Sequence, residues 1–327
     1  MASVAQTIND VLTAVFDGEP PLRVRGWDGS ETGPADAPLV ILRSPDALRR
    51  MLWAPGELGL ARAYVAGDID IDGDLADGLR RVWAAAHARD LTPRLTPRIL
   101  ANSITALARL GAVGRPPAPP ASEAQTSGKL HSRRRDAAVI SHHYDLSNAL
   151  YALLLDEHMA YSCAYWTGDD PSYEIADAQR DKLDLICAKL DLHPGHRLLD
   201  IGCGWSALAV HAAKNYGAHV TGVTISAEQL AFGRERIARE GVGHLVELRM
   251  QDYRDIPGGS CYDAVSAIEM GEHVGAGNYP LFLASIRRLL APHGRVLIQQ
   301  MSHGTHLRRD RHPGGGPFIE RYIAPDM

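Results

Sequence analysis

The sequence is poor in cysteine: 327 residues hold four, Cys163, Cys187, Cys203 and Cys261, and none forms a Cys-x-x-Cys pair. So few thiols in so long a chain exclude a disulfide framework and suit a reducing, cytoplasmic setting. Long apolar runs are also missing. The most apolar stretch, Ile99 to Val113, is short and contains Asn102 and Arg109, so it cannot span a bilayer. Met1 to Gly18 lacks the basic start and apolar middle of a secretory signal. Positive charge is not in excess: 34 Lys and Arg stand against 39 Asp and Glu, a net charge of -5. Nucleic acid is therefore not an expected partner, and attraction to anionic lipid must come from a local patch. A metal site is not expected either. Asp68-Ile-Asp70-Ile-Asp72-Gly73 begins like a calcium loop, but its twelfth position is Leu79 rather than a bidentate acid. His142, His143, His303, His306 and His312 lack a ligand spacing.

What is present divides into three zones. Residues 1–113 read as a smaller N-terminal domain. Residues 114–136 contain Pro116, Pro117, Pro119 and Pro120, then Arg133-Arg134-Arg135. That composition predicts a flexible linker. Its basic run suits either a solvated segment or contact with lipid head groups. From residue 137 the pattern alternates strand and helix. Strands are expected at Arg197–Ile201, His219–Val223, Leu245–Met250, Tyr262–Ile268 and Arg295–Gln299. Helices are expected at Ala207–Tyr216, Ala227–Glu240 (capped by Ser226) and Tyr279–Leu290. Such alternation predicts an α/β fold, a parallel sheet with helices on both faces and ligands at the strands' carboxyl ends.

Gly202-Cys203-Gly204-Trp205-Ser206-Ala207 fits G-x-G-x-x-A, a pattern shared by dinucleotide sites. Two neighbours separate the possibilities. A nicotinamide site needs an acid about 20 residues on, yet that position reads Val223-Thr224-Ile225-Ser226. Asp200 precedes the first glycine, where it would repel a pyrophosphate but suits the ammonium of a methionine moiety. The expected cofactor is S-adenosylmethionine. Thr224, Ser226 and Gln229 are candidates for its ribose hydroxyls, and Asp252 for its adenine amine.

Several further pieces are distinctive together: His143-Tyr144-Asp145-Leu146-Ser147-Asn148, Tyr161-Ser162-Cys163-Ala164-Tyr165-Trp166, Ala178-Gln179 with Lys182, Val223 to Gln229, Gln251 to Asp255, and Glu272-His273-Val274-Gly275. With the glycine loop they resemble the cyclopropane-fatty-acyl-phospholipid synthase and mycolic-acid methyltransferase family over residues 137–327. The first zone resembles the N-terminal, lipid-associated domain of longer bacterial members. The resemblance implies a Rossmann-like class I methyltransferase that acts on the double bond of an unsaturated phospholipid acyl chain. It also implies contact with the inner membrane surface and a homodimer. It assigns the cofactor to Tyr161, Ser162, the loop from Gly202 through Cys203 and Gly204 to Trp205, Thr224, Ile225, Ser226, Gln229, Asp252 and Tyr253. It further implies a bicarbonate ion as base, held at the Cys163 backbone and the Glu272 side chain.

An alkene attacking a sulfonium leaves a carbocation, which needs shielding from water and stabilisation by aromatic faces or negative charge. Tyr144, Tyr165 and Trp166 are candidates for the faces. Glu272 suits the final proton removal, with Glu269 as a second acid and His273 either chemical or structural. Cys163 is expected to act through its backbone or packing rather than as a nucleophile.

Two departures from the family stand out. Cyclopropane synthases carry histidine and isoleucine where this chain has Gln299 and Met301, and their Tyr-Ile-Phe-Pro-Gly segment appears as Tyr322-Ile323-Ala324-Pro325-Asp326. Both resemble the actinobacterial branch that makes 10-methylene (tuberculostearic-type) chains. That product is the expectation, with a cyclopropane as the alternative. Family members also continue beyond the position of Met327, so the chain is expected to be C-terminally short. A non-catalytic lipid- or cofactor-binding remnant is the alternative of another class.

Overall fold

The structure is a computed structural model whose described residues are 2–94, 96–124, 128–144, 148–259, 262–301, 316–323 and 325–326. The side chains of 137–138 and 141–144 are outside the description. Tyr144, His142 and His143 therefore lie beyond it as side chains, and His303, His306, His312 and Cys261 as residues.

The chain forms two units. The first, Met1–Glu123 with Gly316–Phe318, contains α1 (Val4–Phe16), β1 (Arg23–Arg25), β2 (Glu31–Thr32), β3 (Leu39–Leu42), α2 (Pro45–Trp53), α3 (Glu57–Val65), β4 (Ile69–Ile71), α4 (Leu75–Ala88) and α5 (Pro97–Arg109). Its four strands pair in the order β2-β1-β3-β4. Ser3, Ser44, Asp74 and Thr96 cap α1, α2, α4 and α5 through their side-chain oxygens. Ala5, Ile8, Val24, Leu42, Ala63 and Leu107 form its core. The Asp68–Asp72 segment is strand β4 with its flanks, paired to β3.

The second unit, Ala124–Gly315 with Ile319–Met327, contains α6 (Arg133–Tyr144), α7 (Asn148–Leu154), α8 (Ile175–Leu190), β5 (Arg197–Ile201), α9 (Ala207–Tyr216), β6 (His219–Thr224), α10 (Ala227–Arg239), β7 (Val246–Met250), β8 (Tyr262–Ile268), α11 (Gly271–Val274), α12 (Tyr279–Leu289) and β9 (Leu290–Gln299). Its sheet is parallel in the order β7-β6-β5-β8-β9. The strand order reverses between β5 and β8, which opens a crevice at their carboxyl ends. β5 is covered on both faces, and every residue from Leu198 to Ile201 is buried, Asp200 included. Leu198 joins the core beneath α8 and α9, while Leu199 and Ile201 join the core around α12. The last strand begins five residues before the expected Arg295. Leu290 already pairs with Tyr262, and a register shift follows before Ala264 meets Arg295.

Parts of the segment expected to be a linker carry hydrogen bonds to the first unit's helices. Proline removes donors but leaves carbonyl acceptors, and side chains of α2 reach two carbonyls of the segment: Arg50 donates to Ala118 O at 2.6 Å and Trp53 to Gly114 O at 2.8 Å. Arg62 holds buried Glu123 through two bonds of 2.6 and 2.7 Å. The unit boundary falls at Glu123/Ala124. The basic run is the start of α6, where Arg135 grips Asp326 and Arg133 pairs with Asp255. Two of the three arginines are thus engaged by carboxylates.

Phe282 of α12 is fully buried, edge-on to Tyr253 at 5.1 Å and to Tyr279 at 6.0 Å. Phe282→Ala is expected to destabilise this unit by about 3–5 kcal/mol, measured as a shift in urea midpoint. An unchanged midpoint would show that α12 does not anchor the sheet.

Candidate functional site

The glycine loop is tied to the neighbouring strand. The N–H groups of Gly202 and Cys203 both donate to Val223 O, at 2.9 and 3.0 Å. Gly202 sits at φ +75°, and a Cβ there would meet Met270 Cγ at 2.8 Å. Opposite, a Cβ on Gly222 would meet Leu248 at 2.7 Å and the Cys203 sulfur at 3.0 Å. Glycine at both places lets loop, strand and α11 close together. The N-terminus of α9 follows the loop, an arrangement suited to a polar ligand.

One cavity lies at this crevice. Tyr161, Ser162, Asp200, Gly202, Cys203, Gly204, Trp205, Thr224, Ile225, Gln229, Asp252, Tyr253 and His273 all line it. Of the expected cofactor residues, Ser226 is the exception. Its hydroxyl accepts from Gln229 N at 3.2 Å and caps α10, so it shapes the wall rather than facing the ligand. Thr224 donates to Gln229 Oε1 at 2.9 Å. Trp205 is buried, donates to Asn148 at 2.8 Å and packs on Tyr151 at 4.6 Å.

Charge in the cavity is arranged in two groups. Asp200 is buried and accepts from Ser266 Oγ at 2.8 Å. Burial pushes its carboxyl up to about 6, against the opposing pull of Ser266 and Lys182. At the far wall, Arg254 bonds both oxygens of Asp252 and reaches Asp136 at 2.8 Å. Burial alone would raise Asp252, but Arg254 holds it below the usual carboxylate range. Asp252 therefore already has a protein partner, Arg254, two residues on.

The residues assigned to proton chemistry are divided between the cavity wall and its surroundings. Glu272, Cys163 and Gln299 are absent from its lining, whereas Glu269 lines it. Glu269 accepts from Gln299 Nε2 at 3.2 Å and from Met301 N at 3.1 Å. Met301 N also reaches Glu272 Oε1 at 2.5 Å, so two carboxylates share one donor. Glu272 Oε2 is buried without a hydrogen-bond partner. Burial and the adjoining Glu269 raise the Glu272 carboxyl above its ordinary value. Gln299 Nε2 further contacts the Cys163 sulfur at 3.4 Å. Tyr165 and Trp166 are about half exposed and outside the lining.

Gln179 and Lys182, one turn apart on α8, are the main features that residue-by-residue reasoning left without a role. Gln179 Nε2 donates to Ala160 O and Ser162 O at 3.2 and 2.9 Å, and Lys182 Nζ to Ser162 Oγ at 2.7 Å. Their i, i+3 spacing is the only signal that could have paired them. Among the described residues no three His, Cys, Asp or Glu side chains converge as a metal site, and no helix is long and apolar enough to cross a membrane.

Residues 131–327 match the family model for mycolic acid cyclopropane synthetase. The chain belongs to that family. It is an S-adenosylmethionine-dependent methyltransferase with the class I fold. It is 37% identical over 313 residues to the tuberculostearic acid methyltransferase UfaA1 of Mycobacterium tuberculosis, covering 93% of this chain and 67% of that protein. It is 36% identical over 296 residues to the cyclopropane-fatty-acyl-phospholipid synthase of Escherichia coli, covering 90% and 67%. Among solved structures, the cyclopropane synthase MmaA2 from Mycobacterium tuberculosis superposes with a TM-score of 0.52 at 28% identity, covering 61% of this chain and 70% of that one.

Because Asp200 titrates near 6 when folded and near 3.8 when free, the folded state binds the extra proton between those values. Stability of the ligand-free protein should fall as pH rises from about 4 to about 6, by about 1–3 kcal/mol from this group. The difference in unfolding free energy between wild type and Asp200→Asn, at pH 4.5 and pH 7, isolates the effect. Parallel curves would show that Asp200 is not a buried ionisable group.

Proposed function

We propose that this methyltransferase adds the methyl carbon of S-adenosylmethionine to the double bond of an unsaturated phospholipid acyl chain and gives a 10-methylene product. The observation that carries the product assignment is Gln299. Where the cyclopropane synthases carry a histidine, an amide that cannot titrate holds Glu269, the acid that lines the cofactor cavity. The two curated relatives, one named for tuberculostearic acid and one for cyclopropane synthesis, lie at nearly equal identity. A cyclopropane therefore remains the second reading.

When bound, the cofactor supplies an electrophilic methyl group on a sulfonium. The alkene electrons form the new carbon–carbon bond as the carbon–sulfur bond breaks, and a cation is left on the adjoining chain carbon. A hydride shift moves the cation to the methylated carbon. A methyl proton then leaves, and its electron pair becomes the exocyclic double bond. Ring closure loses the same proton without the shift, so a weaker or more distant base favours the methylene.

Bicarbonate, which the family resemblance implies as base, does not fit the arrangement. An anion needs converging donors. The Gln299 amide and Met301 N–H already serve Glu269 and Glu272. Among the described residues this leaves the Cys163 N–H, and one donor does not make an anion site. We assign the proton to the carboxylate pair instead. Burial and Glu269 make Glu272 hold its proton more firmly than a free carboxyl does, and Glu269, which faces the cavity, is the acceptor.

The acyl substrate resides in a bilayer, so we also propose contact with the membrane surface. Trp83, 71% exposed, and Leu79 stand on α4 near Arg80 and Arg81, which supports that contact.

Incubation with methyl-labelled cofactor and oleoyl phospholipid is expected to place label in the acyl chain, with vinylidene protons by NMR. Cofactor binding without transfer would favour a non-catalytic remnant, and ring protons would favour the cyclopropane. Gln299→His should raise the ratio of cyclopropane to methylene by about tenfold, about 1.4 kcal/mol between two barriers. Removing bicarbonate should change turnover by less than about twofold, while Glu269→Gln should lower it by about 100-fold or more. A strong bicarbonate requirement would refute the carboxylate-pair assignment.

A further inference from the structure

Lys182 is the most buried cation of the cavity, with 4% of its surface exposed. A buried ammonium is costly unless a counter-charge meets it. Nζ donates to the neutral Ser162 hydroxyl at 2.7 Å, and among the described residues it forms no salt bridge. Asp200 and Glu269 also line the cavity. Each is near enough to act on the Lys182 charge through space, yet neither lies within salt-bridge distance. Burial accordingly lowers the Lys182 pKa, only partly offset by Cys163, Asp156, Glu269 and Asp200. The other strong cation of the cavity, Arg254, is engaged by Asp136 and Asp252.

Asp200 and Lys182 thus form a separated pair of opposite charges across the crevice. An amino-acid zwitterion complements such a pair: its ammonium and carboxylate hang from one carbon, and each can face the opposite protein charge. We propose that Lys182, steadied by Ser162, binds the α-carboxylate of the cofactor's methionine moiety, with Asp200 taking the α-ammonium. This rests on the S-adenosylmethionine reading of the cavity and adds the residue that recognises its acidic end. Gln179, on the same helix face, positions the contact by holding the Ala160 and Ser162 carbonyls. Lys182 then needs no carboxylate of its own within the protein, because the ligand brings one.

Calorimetry with S-adenosylhomocysteine and with its decarboxylated analogue, an amine lacking the α-carboxylate, tests the proposal without turnover. Wild type is expected to bind S-adenosylhomocysteine at least about tenfold more tightly than the analogue, as a charge-assisted bond warrants. Lys182→Met is expected to erase that preference by weakening S-adenosylhomocysteine while leaving the analogue nearly unchanged. The wild-type comparison holds even if the variant folds poorly. Equal weakening of both ligands by Lys182→Met would make the lysine structural and overturn the proposal, as would a preference that survives the substitution. If wild type binds neither ligand, the cofactor reading itself fails. If it binds both equally, only the carboxylate assignment fails.

Discussion

The carbonyl of Val223 accepts two hydrogen bonds from the turn that follows β5, one from Gly202 and one from Cys203. Much of the site depends on that contact. It draws the loop across the end of β6, sets where α9 begins, and turns Asp200 and Trp205 toward one crevice. The contact requires an absence of side chains on both partners: Gly202 has a left-handed backbone against Met270, and Gly222 lies against Leu248 and Cys203. A methyl group at either glycine would push the loop away from the sheet.

Around this anchor the cavity is built from elements far apart in the chain. α8 contributes Gln179 and Lys182, which hold the 160–162 strip. β5 contributes the buried Asp200. The turn after β7 contributes Asp252, locked by Arg254. The end of β8 contributes Glu269, a non-glycine residue at φ +49°. That backbone conformation costs free energy. It is maintained where the Glu269 side chain meets both Gln299 and the Met301 backbone. The strain, the shared N–H and the unpartnered oxygen of Glu272 all fall within one small region at the carboxyl end of β9.

The two charge systems of the cavity differ in kind. Arg254 with Asp252 and Asp136 is satisfied within the protein, so it stiffens the wall. Asp200 and Lys182 are buried and kept apart, so each bears a desolvation cost that its neighbours only partly offset until a ligand enters. Ligand binding can relieve that cost, and this is the physical reason a buried unpaired charge is informative about recognition.

The parallel strands, the helices between them and the cofactor loop were legible in the sequence, because their signals are local. Continuous apolar runs mark central strands, Ser226 marks a helix start, and the missing acid after Val223 argues against a dinucleotide. Composition reports that the prolines of 114–120 cannot build a core, but not that Arg50 reaches Ala118 O or that Arg62 holds Glu123. Only the tertiary structure decided how the groups proposed for proton transfer are arranged. Glu269 and Glu272 meet Gln299 and Met301 because β8 and β9 lie side by side, about thirty residues apart in the chain. It likewise decided that Lys182 and Asp200 face one cavity. Sequence alone determined which chemistry each residue can offer, whereas pairing, burial and shared hydrogen bonds, being long-range, were set by the fold.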